Sequence, residues 1–199
     1  MKRPEILAPA GNMEALKAAI SNGCDAITKL KKLDMMGEYS LPADYKAKIL
    51  PALKYCNYII LNEVESSMLS DLDPYNPDGG LNIDNIKKTM VYMAECGVKE
   101  KIIVHCKKAG FCYDVPTGNF TVVPSVNIPK SEIKGSVGAG DAFCAGSLYG
   151  IYNGFDDKHI LEFAASAAAC NLFSENSVDG MLNKNEIEKL SEKYGWEEL

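Results

Sequence analysis

The stretch Gly138-Ala139-Gly140-Asp141-Ala142-Phe143 joins two glycines and a carboxylate to the start of an apolar run. The glycines let the backbone turn sharply and aim successive N–H groups at one point. The run beyond, from Asp141 to about Tyr152 with Gly154 past its end, predicts a helix. A helix start supplies unpaired N–H donors and the positive end of the helix dipole. Together these make an anion hole suited to a transferring phosphoryl group. Such a transfer needs positioned donors where negative charge spreads, and a base for the attacking hydroxyl. Asp141 stands beside the hole, where its carboxylate can take the hydroxyl proton. The same residues also suit a plain turn and an N-cap, so the motif alone does not choose between the two.

Working outward, the neighbouring segments alternate between apolar strands and helices. Upstream, Phe111–Val115 and Phe120–Val123 alternate around Thr117-Gly118-Asn119 and predict a hairpin. Before them, Lys101–His105 and Tyr58–Leu61 are continuous apolar runs, as expected for strands buried on both faces. Helices are predicted over 42–54 and from Asn82 or Asp84 to Gly97, with Asp71–Gly80 as a surface loop. Glu5–Ala8 predicts a strand, Pro9–Asn12 a turn, and Met13–Ile20 a helix ended by Gly23. Downstream, a helix over about Asp157–Phe173 is rich in small residues from Ala164 to Ala169, which permit close approach of another helix or a flat ligand. A last helix starts at Asn183, with Glu186 completing a capping box. The pattern predicts an α/β fold in three layers, a mostly parallel sheet with helices on both faces.

Composition narrows the classes. A net charge of −6 argues against a nucleic-acid binder, which needs clustered Lys and Arg. Lys29–Lys32 and Lys107-Lys108 are short basic runs that read as solvated surface. The seven cysteines form no CxxC pair and read as small hydrophobes in a reducing compartment. No apolar run is long enough to span a membrane and no signal peptide opens the chain, so a cytoplasmic protein is expected.

The glycine motif and the following Ala145-Gly146 resemble the C-terminal signature of the ribokinase-like (PfkB) sugar and nucleoside kinases. Asn62-Glu63-Val64-Glu65, directly after a predicted strand, is similar to that family's Asn-x-x-Glu motif. The resemblance covers about residues 33–199. It implies ATP as phosphoryl donor, a sugar or nucleoside as acceptor, and Mg2+ organised by Asn62 and Glu65, with Glu65 acting on the metal through water. It implies Asp141 as base and the N–H groups of Gly138, Ala139 and Gly140 as the anion hole. Asn62 and Glu65 taken alone better suit a helix cap with an acidic first turn, and it is their order with the glycine motif that favours the metal role. Val104–Gly110 occupies the place of the family's Thr-x-Gly-x-x-Gly turn near the nucleotide, but only Gly110 matches, and His105 also suits a structural role at a strand end. The Ala164–Asn171 helix resembles the one bordering the adenine ring, which makes Asn171 a candidate contact, although its alanines equally suit helix packing. Gly135-Ser136-Val137 stands where the family commonly has an acidic residue followed by Thr, which puts monovalent-cation activation in doubt.

Nothing in the sequence resembles that family's N-terminal sugar-binding segment or β lid. Residues 1–27 instead resemble the opening of the collagenase-like peptidases, through Glu5–Asn12 and Gly23–Ala26, without any catalytic residue of that family. The expected organisation is a strand–helix segment of different origin over 1–28, joined to a kinase C-terminal portion over 29–199 and truncated on its N-terminal side. A half-covered sheet would expose an edge and apolar faces, from which homo-oligomerisation is expected unless 5–20 covers them. A kinase and a nucleotide-binding remnant without turnover both fit this organisation. A peptidase-like module lacks a nucleophile–base pair or a metal-ligand cluster.

Overall fold

The computed structural model describes residues 7–9, 26–28, 42–176 and 179–199, with 7–9, 26–28 and 42–44 described as backbone. The expected turn at 10–12, the helix over 13–20, Gly23 and the basic run 29–32 lie outside the described residues.

Six strands follow one another in chain order across one sheet: β1 (Leu7–Pro9), β2 (Ala26–Thr28), β3 (Tyr58–Asn62), β4 (Lys101–His105), β5 (Ala109–Asp114) and β6 (Asn119–Pro124). β1, β2 and β3 are parallel, with Leu7 opposite Ala26 and Ala26 opposite Tyr58. The N–H groups of Lys99 and Glu100 bond the carbonyls of Cys56 and Asn57, so β4 starts level with β3 and runs the same way. β5 then turns back. Cys106 N–H meets Ala109 O at 2.9 Å and Val115 N–H meets Glu100 O at 2.8 Å, which fixes an antiparallel register. The expected hairpin is present at β5–β6, with Gly118 N–H on Asp114 O at 2.8 Å. The mostly parallel sheet therefore ends in an antiparallel meander.

The helices are α1 (Pro42–Leu53), α2 (Glu63–Ser70), α3 (Ile83–Glu95), α4 (Ala139–Tyr152), α5 (Asp157–Asn171), α6 (Lys184–Glu188) and α7 (Leu190–Tyr194). Two compact units share them. The first is Met1–Val104 with Tyr113–Phe120, and the second is His105–Cys112 with Thr121–Leu199. In the first, the middle residues of β3 and β4 are buried with Ile49 and Leu53 of α1, Leu69 of α2 and Ile86, Met90 and Met93 of α3. In the second, Val126, Ile128, Phe163, Ala167, Cys170, Ile187 and Leu190 form a core against which Tyr194 and Trp196 pack. The small residues of α5 are explained here. A methyl group on Gly146 of α4 would stand 2.8 Å from Ala164 Cα, so α4 and α5 meet backbone to backbone. The six cysteines among the described residues are not joined in disulfides.

Candidate phosphoryl-transfer site

The glycine motif folds as its composition requires. Gly138 takes φ +87°, a left-handed turn that glycine enters at little cost, and serves as N-cap of α4 without a side-chain bond. Helical hydrogen bonding begins with Ala142 N–H on Gly138 O at 2.8 Å. The N–H groups of Ala139, Gly140 and Asp141 precede that bond, where a helix has no partner of its own to offer. Ala139 N–H is drawn back to Ser136 O at 3.3 Å, so the turn engages one of the donors expected for the hole. Asp141 is the third residue of the helix and half-buried, while Gly140 is exposed.

Beneath this turn lies His105, at the end of β4. A methyl group on Gly140 would sit 3.2 Å from His105 Cε1, and the imidazole packs on Phe143 with ring centroids 4.8 Å apart. Burial lowers the His105 pKa from 6.5 to about 4, with the Asp141 carboxylate pulling weakly the other way. The ring is therefore neutral at neutral pH and puts no cation beside Asp141. Gly110 faces the other side of the same aromatic group. A methyl there would lie 2.7 Å from Phe143 Cζ and 3.3 Å from Leu161 Cδ2. The glycine admits Phe143, and this residue is buried rather than facing solvent.

The loop leading into the hole is pinned from behind. Lys134 N–H bonds Leu172 O at 2.8 Å, and Asn171 Nδ2 donates to Val137 O at 2.6 Å. Asn171 is fully buried and its Oδ1 has no hydrogen-bond partner.

In the first unit, Asn62 caps α2 and Glu65 completes a reciprocal capping box. Asn62 Oδ1 accepts from Glu65 N–H at 2.7 Å, and Glu65 Oε2 accepts from Asn62 N–H at 3.0 Å. The cap reading is thus observed, and it fixes both side chains at the C-terminal end of β3. Sequence reasoning missed Tyr45, whose buried hydroxyl finds no partner and is pushed to a raised pKa by burial and then by the Glu65 carboxylate. No sequence signal joins residues 20 apart on α1 and α2. Glu63, beside the cap, accepts from Tyr75 Oη at 2.7 Å and so ties down the loop after α2. Among the described residues no group of three His, Cys, Asp or Glu side chains could hold a metal. The hard oxygens of Asn62 and Glu65 suit Mg2+, which keeps most of its waters and takes few protein ligands.

Residues 9–184 match the model of the pfkB family carbohydrate kinases. A 5-dehydro-2-deoxygluconokinase from Geobacillus thermodenitrificans is 28% identical over 140 residues, covering 69% of this chain and 38% of that protein. The solved 2-dehydro-3-deoxygluconokinase of Thermotoga maritima superposes with TM-score 0.67 at 20% identity, over 90% of this chain and 53% of that one. An E. coli protein described as a ribokinase II, solved with ATP and Mg2+, gives TM-score 0.64 at 18% identity, over 90% and 52%. These likenesses show the ribokinase-like three-layer fold. The chain spans less than half the length of the curated relatives it matches. The family match takes in residues 9–27, and none of these proteins supports the peptidase likeness drawn for 1–27. The chain belongs to the pfkB carbohydrate kinase family.

Proposed function

We propose that this chain carries the phosphoryl-transfer part of an ATP-dependent sugar kinase, in which a sugar hydroxyl attacks the γ-phosphoryl group. The observation that carries the proposal is the turn at Gly138, φ +87°, opening α4 with Asp141 in its first turn. N–H groups at a helix start meet the charge that spreads over the transferring oxygens, and a nearby carboxylate can accept the hydroxyl proton. Asp141 acts as that base. Gly138, Ala139 and Gly140 form the hole, Ala139 joining once its N–H leaves Ser136. Asn62 and Glu65 hold the water shell of Mg2+, which when bound neutralises phosphate charge, and Gly110 keeps Phe143 in place behind the hole.

Kinship supports one acceptor class. The curated relative and the Thermotoga neighbour are both named for deoxy keto-sugar acids, and such an acid is the acceptor we propose ahead of a nucleoside. The chain works in the cytoplasm, where ATP is available. No helix among the described residues is long and apolar enough to cross a membrane. A second reading is nucleotide binding without turnover. An anion hole does not catalyse without a positioned acceptor.

The test is ADP release with a panel of sugar acids, sugars and nucleosides. Asp141→Asn is expected to lower kcat by about 10²- to 10⁴-fold, the usual yield of a general base, while leaving ATP binding near wild type. An unchanged kcat in Asp141→Asn would remove Asp141 from the chemistry. ATP binding without ADP release for any acceptor would favour the second reading.

A further inference from the structure

Asn171 closes α5, and its side chain leaves that helix to reach a loop 34 residues earlier in the chain. Its Nδ2 donates to Val137 O at 2.6 Å. Val137 immediately precedes Gly138, whose φ of +87° starts the turn. Val137 is 68% exposed, so burial does not hold that residue. Two backbone bonds onto Leu172 O, from Lys134 at 2.8 Å and Gly135 at 3.5 Å, stop short of the turn. Asn171 is 0% exposed, so as the loop stands it cannot touch a nucleotide. Its Oδ1 is buried without a partner, an uncommon and costly arrangement for a buried polar atom.

We propose that Asn171 is a positioning residue of the transfer site: its buried amide holds the Val137 carbonyl and thereby sets the turn from which the anion-hole N–H groups project. The carbonyl and the N–H of the next residue belong to one planar peptide. Fixing Val137 O therefore fixes the direction of Gly138 N–H and the start of the turn behind it. The hole is then preorganised before ligand arrives, which is where electrostatic stabilisation gains most. The inference rests on the kinase reading for its purpose but not for its geometry.

The test uses the full chain, 15N-labelled, as wild type, Asn171→Asp and Asn171→Ala. Asn171→Asp sets a carboxylate oxygen against the Val137 carbonyl, and Asn171→Ala removes the donor. The readouts are backbone amide exchange and titration with ADP–Mg2+ and with a non-hydrolysable ATP analogue and Mg2+. In both variants the amides of Gly138, Ala139 and Gly140 are expected to shift and exchange about tenfold faster, as for loss of one buried hydrogen bond, while β5 and the centre of α5 stay as in wild type. Affinity for the triphosphate analogue is expected to fall about tenfold and affinity for ADP to hold, because the hole receives the γ-phosphate. Equal losses for both nucleotides with unmoved glycine amides would make Asn171 a nucleotide contact and overturn the proposal. Changes spread over the whole second unit, or unfolding of both variants, would make its role merely structural and overturn it as well. If wild type binds neither nucleotide but the glycine amides respond as expected, the kinase reading fails and the positioning role stands.

Discussion

His105 is a buried base whose ring must stay neutral, and its proximity to Gly140 gives that burial a consequence for the site. Its pKa of about 4, against 6.5 for an exposed histidine, means that the unfolded chain binds the proton more tightly. Acid therefore favours unfolding through this residue: stability is full above about pH 6.5 and falls as pH drops toward 4. Between about pH 7.5 and about pH 5 the loss from His105 amounts to about 2 kcal/mol. His105→Gln is expected to show a smaller loss over that interval in urea unfolding, and an identical loss would place the proton elsewhere. The sequence offered His105 as a residue of the nucleotide turn or as a strand-end histidine. Its contact with Gly140 spans 35 positions, and no periodicity or motif carries such a pairing. Gly110 was legible as a family glycine, whereas its steric reason, room for Phe143, emerges only from the packing.

The elements that position the site were legible where local chemistry dictates them. The Asn183–Glu186 capping box, the turn around Gly118 and the glycine that opens α4 each depend on residues within four positions. α2 was legible only as the helix cap that Asn62 and Glu65 suit, and its sequence, Glu63–Ser70, holds three serines, which favour caps and turns. In the fold, Ser66 and Ser67 spend their hydroxyls on the carbonyls of Glu63 and Val64 within the helix. The reciprocal cap of Asn62 and Glu65 secures its start. That arrangement makes the observed cap separable from the metal role proposed for Asn62. Asn62→Ala removes the cap and is expected to cost about 1 kcal/mol in urea unfolding. Asn62→Asp keeps an equivalent cap and should hold stability to within about 0.5 kcal/mol. Its added carboxylate should lower the Mg2+ concentration needed for half-maximal ATP binding. An unchanged Mg2+ requirement in Asn62→Asp would confine Asn62 to capping.

Across the whole molecule, the alternation of strand and helix followed from hydrophobic patterning, because strands buried on both faces read as continuous apolar runs, whereas the order of the strands in the sheet emerges only in the fold. The antiparallel meander at the far edge was half visible, since the three-residue link between β4 and β5 was read as a nucleotide loop rather than as a reversal. The origin assigned to residues 1–28 rested on a short likeness, and the family match reaches across it from residue 9. The acceptor is the part least legible, since the chain spans 38% of its curated relative and its proposed motifs all belong to phosphate and metal. The central claim is that the turn at Gly138–Asp141 receives the ATP phosphates. It is tested most directly by calorimetric titration of the purified chain with ATP–Mg2+, beside Asp141→Asn and Gly140→Asp. Wild type and Asp141→Asn are expected to bind, while Gly140→Asp, which places a carboxylate at the hole and a side chain against His105, is expected not to. Absence of binding in a wild-type chain that circular dichroism shows to be folded, or equal binding by Gly140→Asp, would contradict the claim.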